Sequence, residues 1–169
     1  MQVKWAAVAV LAAMTSVILD CDETFNYLEP LHRLIYGYGL QTWEYDARFA
    51  LRPYAFLYPF ALVGWIAKTV LPASVSKTTV LRMVRLAMGL VNAAGLSAML
   101  PVTKDGTQLL VTAGLLSSIA AFLPNSLAMG LLALSVSYWR RGQRNKQLLT
   151  LAAMAIFTWP YSLVYAVPF

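Results

Sequence analysis

Acidic and apolar residues are strictly separated along this chain. Residues 5–19 carry no charge, and six of the seven carboxylates follow at once, between Asp20 and Asp46. The 123 residues beyond Asp46 hold one more, Asp105. Of the 169 residues 60% are hydrophobic and 12% charged, against roughly 25% charged in an average soluble domain. With a mean hydropathy of +0.64, the chain has too little polar material to cover a water-facing surface. It reads as an all-α integral membrane protein, a polytopic bundle whose acids collect in one loop at the bilayer surface.

The net charge of +6 does not point to nucleic acid. Lys77, Arg82 and Arg85 form one basic segment, and Arg140, Arg141, Arg144 and Lys146 another. Basic clusters between apolar stretches are what the positive-inside rule predicts for cytoplasmic loops, and no aromatic residues alternate with them as stacking platforms would require. Membrane lipid with anionic headgroups is the expected partner of these clusters. The one cysteine, Cys21, excludes an intrachain disulfide. Its neighbours Asp20 and Asp22 disfavour a thiolate. With one histidine, His32, no Cys/His zinc cluster can be built, and neither a metal nor a cofactor is expected.

Residues 1–19, with Lys4 at the start, predict an uncleaved signal-anchor with a cytosolic N-terminus. Residues 20–52 then form a luminal loop. A second span is expected over 53–71 and a third over 84–102, with Lys77, Arg82 and Arg85 in the cytosol between them. Gly89, Ala93, Ala94, Gly95 and Ser97 suit close helix packing in lipid. Lys104, Asp105 and Gly106 form a turn. Residues 107–139 are long for one span and short for two, and they predict a single segment broken at Pro124. A last span starts near Leu148. The apolar end of the chain reads as the front portion of a larger polytopic protein.

Inside the loop, Asp22 is placed to cap a short helix over 24–28. Pro30 opens a second one that ends at Gly37, with Glu29 as its cap. Phe25, Leu28, Leu31, Leu34 or Ile35, and Tyr38 recur at helical spacing, giving an amphipathic pair in the interface plane. Trp43, Tyr45, Tyr54 and Tyr58 are expected in an aromatic belt. Asp22 and Glu23 are adjacent acids just past an apolar span, where burial can raise a carboxylate toward a general base. Arg52, at the start of the second span, offers positive charge. Arg52, Tyr27, Glu29 and Trp43 are the candidate substrate contacts.

The stretch Asp20-Cys21-Asp22-Glu23-Thr24-Phe25-Asn26-Tyr27-Leu28-Glu29-Pro30 resembles the first luminal loop of glycosyltransferase family 22. Leu34-Ile35-Tyr36-Gly37, Gln41-Thr42-Trp43-Glu44-Tyr45 and Arg52 continue the match. Phe122-Leu123-Pro124-Asn125-Ser126 and Trp159-Pro160-Tyr161-Ser162 are similar to later segments of the same family. Leu28 stands where members commonly carry Trp. The resemblance is strongest to the branch that makes alpha-1,2-mannosyl linkages in asparagine-linked glycosylation.

The resemblance implies a GT-C fold in the endoplasmic reticulum membrane, of which residues 1–169 are the N-terminal part. It implies an inverting mannosyltransferase that moves mannose from dolichyl phosphate mannose to a dolichol-linked oligosaccharide. On that reading Asp22 is the first choice as base and Glu23 the second, while Arg52 faces the leaving phosphate. The alternatives are a non-catalytic membrane subunit, an inactive fragment, or a GPI-anchor mannosyltransferase of the same family.

Overall fold

The computed structural model describes residues 2–72, 74–99 and 113–166, and those residues contain helices and turns but no strands. Helix α1 (Gln2–Thr15) is followed by a non-helical link to Asp20. The chain is then helical from Cys21 to Tyr36, through a π-helical segment (Glu23–Leu28) that runs into α2 (Glu29–Tyr36). A short 3-10 turn (Trp43–Tyr45) leads to α3 (Leu57–Val70) and the long α4 (Lys77–Met99). Helices α5 (Ala113–Ser118), α6 (Pro124–Arg140) and α7 (Arg144–Phe157) follow, and a 3-10 segment (Pro160–Ala166) ends the described chain.

Helix α4 is the spine. Its first half packs against α3, and its second half against α1 and α6. One apolar core gathers Tyr27, Leu31, Phe56, Leu57, Val84 and Phe122; the other gathers Trp5, Ala9, Ala93, Leu96 and Ile119. Gly89 and Gly95 of α4 are used as the sequence suggested, whereas Ala94 is exposed. Gly89 lies against Ala9 of α1, and a methyl group on Gly95 would collide with the carbonyl of Gly130 in α6. Backbones that approach this closely exclude any side chain between them.

The direction of α4 corrects the expected topology. The Arg85 guanidinium donates to the carbonyl of Ser16, just past the end of α1, at 2.7 Å, and to Ala120 at 3.2 Å. Gly89 meets Ala9, while at the far end Ser137 and Arg141 donate to Ala98. Thus α1 and α4 are antiparallel, whereas the expected third span over 84–102 would have run parallel to α1. Arg85 sits at the same end as the acidic segment, and so does Lys77, whose ammonium contacts the Tyr38 hydroxyl. The physical reason is the buried carboxylate of Glu23, which holds Arg85 beside it.

Among the described residues α4 is the helix long and apolar enough to cross a bilayer. At about 1.5 Å per residue it covers the roughly 30 Å of a hydrocarbon core. The expected span over 53–71 is instead a 14-residue helix, α3, lying alongside α2 and the first half of α4. The expected last span is interrupted too: α7 starts at Arg144, stops at Phe157, and gives way to the turn at Pro160. The turn expected at Lys104, Asp105 and Gly106, and the first part of 107–139, lie outside the described residues. So does the side chain of Lys4.

Candidate active site

The helix of the acidic segment is capped two residues earlier than its sequence suggests, and it starts at Cys21. The Asp20 carboxylate accepts the Asp22 amide at 2.8 Å, so Asp20 is the cap. Asp22 already has helical backbone angles and caps nothing with its side chain. Nor does Pro30 open a separate helix with Glu29 as its cap: α2 starts at Glu29 and continues the π-helical segment without a break. Proline has no N–H for the carbonyl four residues back, which here belongs to Asn26. Two adjustments absorb this. The preceding turn widens to π geometry, with the Glu29 amide donating to Thr24. The Tyr45 hydroxyl donates to the Asn26 carbonyl at 2.7 Å.

The wider turn also shifts which residues face the core. Tyr27, Leu28, Leu31 and Ile35 are buried, whereas Phe25 and Tyr38 are exposed, against the even stripe expected. Tyr45 is likewise buried rather than part of an aromatic belt, and its burial pushes the hydroxyl pKa up. Trp43 and Tyr58 are exposed. The helix ends as expected at Gly37, in the left-handed conformation at φ 83°.

Asp22 and Glu23 point into different surroundings. Asp22 accepts from the Asn26 side-chain amide at 2.6 Å, one helical turn on, and lies 3.7 Å from the Arg52 guanidinium. Its side chain is 52% exposed. Glu23 is buried; it accepts the Phe122 amide at 2.8 Å and pairs with Arg85 at 3.5 Å. Burial raises its pKa, against the opposing pull of the Phe122 amide and Arg85. Burial therefore raises the acid that faces inward, while the acid open to a ligand is its neighbour.

Arg52 is the hub of the outer pair. Its Nε donates to Glu44 at 2.7 Å, with a second, longer contact from the other side of the fork. It also donates to the Tyr27 hydroxyl, and its guanidinium lies over the rings of Tyr27 and Trp159. The Tyr27 hydroxyl is pushed up in pKa, first by burial.

Of the expected site residues, the structure brings together Asp22, Tyr27 and Arg52. Glu29 lies about two turns along the helix, where its carboxylate accepts the Leu40 amide at 3.3 Å. Trp43 packs edge-on against Phe49. Sequence reasoning passed over Glu44, Arg85 and Trp159. The signal for Glu44 and Trp159 was their place in the matched motifs; Arg85 was hidden by its resemblance to a cytoplasmic anchor.

Two cavities lie on the side of the inner acid rather than against Asp22 and Arg52. One of about 290 Å³ is lined by Asp20, Glu23, Ser118, Asn125 and Ser126. A larger apolar one, of about 620 Å³, lies between α4, α6 and the turn at Tyr161, and shares Asn125 and Met129 with the first.

An acidic loop held against a helix bundle by two arginines defines a membrane-protein class only when its relatives are considered. The Alg9-like mannosyltransferase family matches residues 3–169. The chain belongs to that family. It is 36% identical to the human alpha-1,2-mannosyltransferase ALG9 over 93% of this chain and 27% of that protein. It is 31% identical to alg9 of Schizosaccharomyces pombe over 97% of this chain and 30% of that protein. A shorter stretch of 47 residues is 44% identical to GPI mannosyltransferase 3 of Candida albicans, covering 27% of this chain and 10% of that protein. The chain therefore spans less than a third of the length of these curated relatives. No solved structure matches.

Proposed function

We propose that this chain forms the N-terminal, base-carrying part of an inverting alpha-mannosyltransferase of the endoplasmic reticulum membrane. The donor is dolichyl phosphate mannose and the acceptor a dolichol-linked oligosaccharide. Asp22 is the general base. The observation that carries this reading is the contrast between neighbours: Asp22 is half exposed and oriented by Asn26 and Arg52, while the Glu23 carboxylate is taken up by the Phe122 amide and Arg85. An acceptor hydroxyl attacks the anomeric carbon of the donor and its proton passes to Asp22. The carbon–oxygen bond to phosphate breaks and dolichyl phosphate departs, giving an alpha linkage from a beta-linked donor.

Arg52 is shared between Asp22 and Glu44, so its role is to hold the base. The larger apolar cavity suits a prenyl chain. Asp20 to Arg85 lies on the luminal side in this reading, and Arg140 to Lys146 on the cytosolic side. Because α4 runs toward the cytosolic end, two crossings between Met99 and Arg140 keep the second basic cluster cytosolic.

The test is incorporation of mannose from dolichyl phosphate mannose into lipid-linked oligosaccharide by the full-length protein, with and without Asp22→Asn. Normal incorporation by the variant would remove Asp22 from the mechanism. A glycosylation acceptor inserted at Ser74 should be modified and one at Gly142 should not. Modification at Gly142 or its absence at Ser74 would reject the orientation.

A further inference from the structure

Away from Asp22, at the far end of α2, two lysines from different helices converge on one ring. The Lys68 ammonium lies 5.1 Å from the centre of the Tyr36 ring and that of Lys77 5.0 Å from the same centre. Lys77 also lies 4.5 Å from the centre of the Tyr38 ring. Lys68 donates to the Ile35 carbonyl at 3.4 Å, and Lys77 to the Tyr38 hydroxyl. Neither has a carboxylate partner among the described residues. Two ammonium groups that border the same ring and line the same cavity repel one another, and neutral oxygens and ring faces offset that only in part. An anion between them would remove the repulsion.

The space for one is present. A cavity of about 330 Å³ is lined by Tyr36, Lys68, Leu71, Pro72, Val75 and Lys77. It shares Tyr36, Lys77 and Val80 with a second cavity of about 200 Å³ between α2 and α4, where Leu28, Leu31, Ile35, Leu81 and Val84 form the walls. Glu29 borders that second cavity, but its carboxylate is engaged with the Leu40 amide. Charge at one end and an apolar trough at the other match a molecule with an anionic head and a hydrocarbon tail. The outer face of α3 supplies the setting: Tyr58, Leu62, Trp65, Ile66 and Val70 are all exposed, at helical spacing, next to Lys68.

We propose that Lys68, Lys77 and Tyr36 form a site for an anionic phospholipid, its phosphate between the two ammonium groups and one acyl chain in the trough between α2 and α4. A zwitterionic choline lipid fits less well, because the tyrosine faces that would receive its quaternary ammonium are already occupied by lysines. The site stands apart from the transferase chemistry and requires only that α3 meet a bilayer.

The experiment is native mass spectrometry of the full-length protein, stripped of lipid in detergent and titrated with phosphatidic acid or phosphatidylcholine of the same acyl chains. Phosphatidic acid should bind more tightly, and Lys68→Gln with Lys77→Gln should weaken it about tenfold or more, since both charge-assisted hydrogen bonds to the phosphate are lost. Lys68→Arg with Lys77→Arg should restore it. Arg82→Gln removes a neighbouring charge outside the cavities and should leave it unchanged. Equal weakening by Arg82→Gln, equal binding of phosphatidylcholine, tighter binding of dolichyl phosphate, or displacement by millimolar inorganic phosphate would each overturn the assignment. A photoactivatable phosphatidic acid gives a check free of any folding defect in the variants. It should label peptides around Leu31 to Tyr36 and Lys77 to Val84, and labelling elsewhere would refute the site. Mannose transfer by the glutamine variant, assayed in parallel, separates this outcome from the fate of Asp22.

Discussion

Asp22 and Glu23 are consecutive residues and each faces an arginine, yet the two pairs differ in almost every physical respect. In the outer pair the Asp22 side chain is 52% exposed and 3.7 Å from Arg52, and Glu44 competes for the same guanidinium at 2.7 Å. In the inner pair both side chains are nearly inaccessible, at 3% for Glu23 and 6% for Arg85. Their remaining hydrogen bonds run to the backbone of Ser16, Ala120 and Phe122. Consecutive positions on a helix stand about 100° apart, so one carboxylate faces outward and the next is taken up by Arg85 and the Phe122 amide. On the proposed reading, the side of the helix each acid occupies is what separates the base from a structural acid.

The comparison breaks most sharply at Asp22. Asp22→Asn should lower mannose transfer by about 10²–10⁴, the usual loss for a general base, while the thermal unfolding of the full-length protein stays within a degree or so. Since Asp20 is the cap, asparagine at position 22 disturbs no helix start. A fall in stability that tracked the fall in rate would show that the outer pair is structural after all.

At the inner pair the expected readout is reversed. Arg85→Met leaves the Glu23 carboxylate buried without its cation, a change that typically destabilises by about 3–5 kcal/mol. Glu23→Gln should be milder, because the amide oxygen can still accept from Phe122 and Arg85 keeps its two carbonyls. Unfolding in detergent, followed by circular dichroism, should rank Arg85→Met below Glu23→Gln and both below wild type. If Glu23→Gln abolished transfer in protein of unchanged stability, the base would have to be sought at Glu23.

A smaller effect is expected where the outer pair is sharpened rather than broken. Glu44→Gln frees one arm of the Arg52 fork, letting Arg52 close onto Asp22 and weaken it as a proton acceptor. The turnover number should drop about tenfold, near 1.4 kcal/mol in barrier, with the KM for the acceptor little changed. Unchanged thermal unfolding alongside that drop would exclude loss of packing as its cause.

Much of this could be read from residue order. The all-helical class follows from the long apolar runs. The helix stop at Gly37 needed a residue tolerant of positive φ, and the close crossing of α4 was foreshadowed by Gly89 and Gly95. The acidic segment was legible as the candidate site because its residues cluster in sequence. What escaped is long-range in origin. Arg85 lies 62 positions from Glu23, and Phe122 lies 99 away. No local pattern tells a buried arginine from one that anchors a cytoplasmic loop. The π turn escaped because Pro30 admits two answers, a new helix or a widened turn. The choice depends on Tyr45, which lies 19 residues from the Asn26 carbonyl it satisfies.

The smallest expected effect is a pH dependence that belongs to the inner pair alone. Burial raises the Glu23 pKa above its ordinary value of 4.5 in the folded protein. The folded state then holds this proton more tightly than the unfolded chain. The corresponding stability is fully present below about 4.5 and is lost as pH rises through the raised value. Other carboxylates impose slopes of their own, so the informative quantity is the difference in unfolding midpoint between wild type and Glu23→Gln, measured in detergent at a series of pH values. The gap should widen toward acid and narrow toward neutral pH. A gap for Glu23→Gln that grew toward neutral pH would mean that Arg85 and the Phe122 amide outweigh burial. Glu23 would then be a charged partner in a net-favourable ion pair.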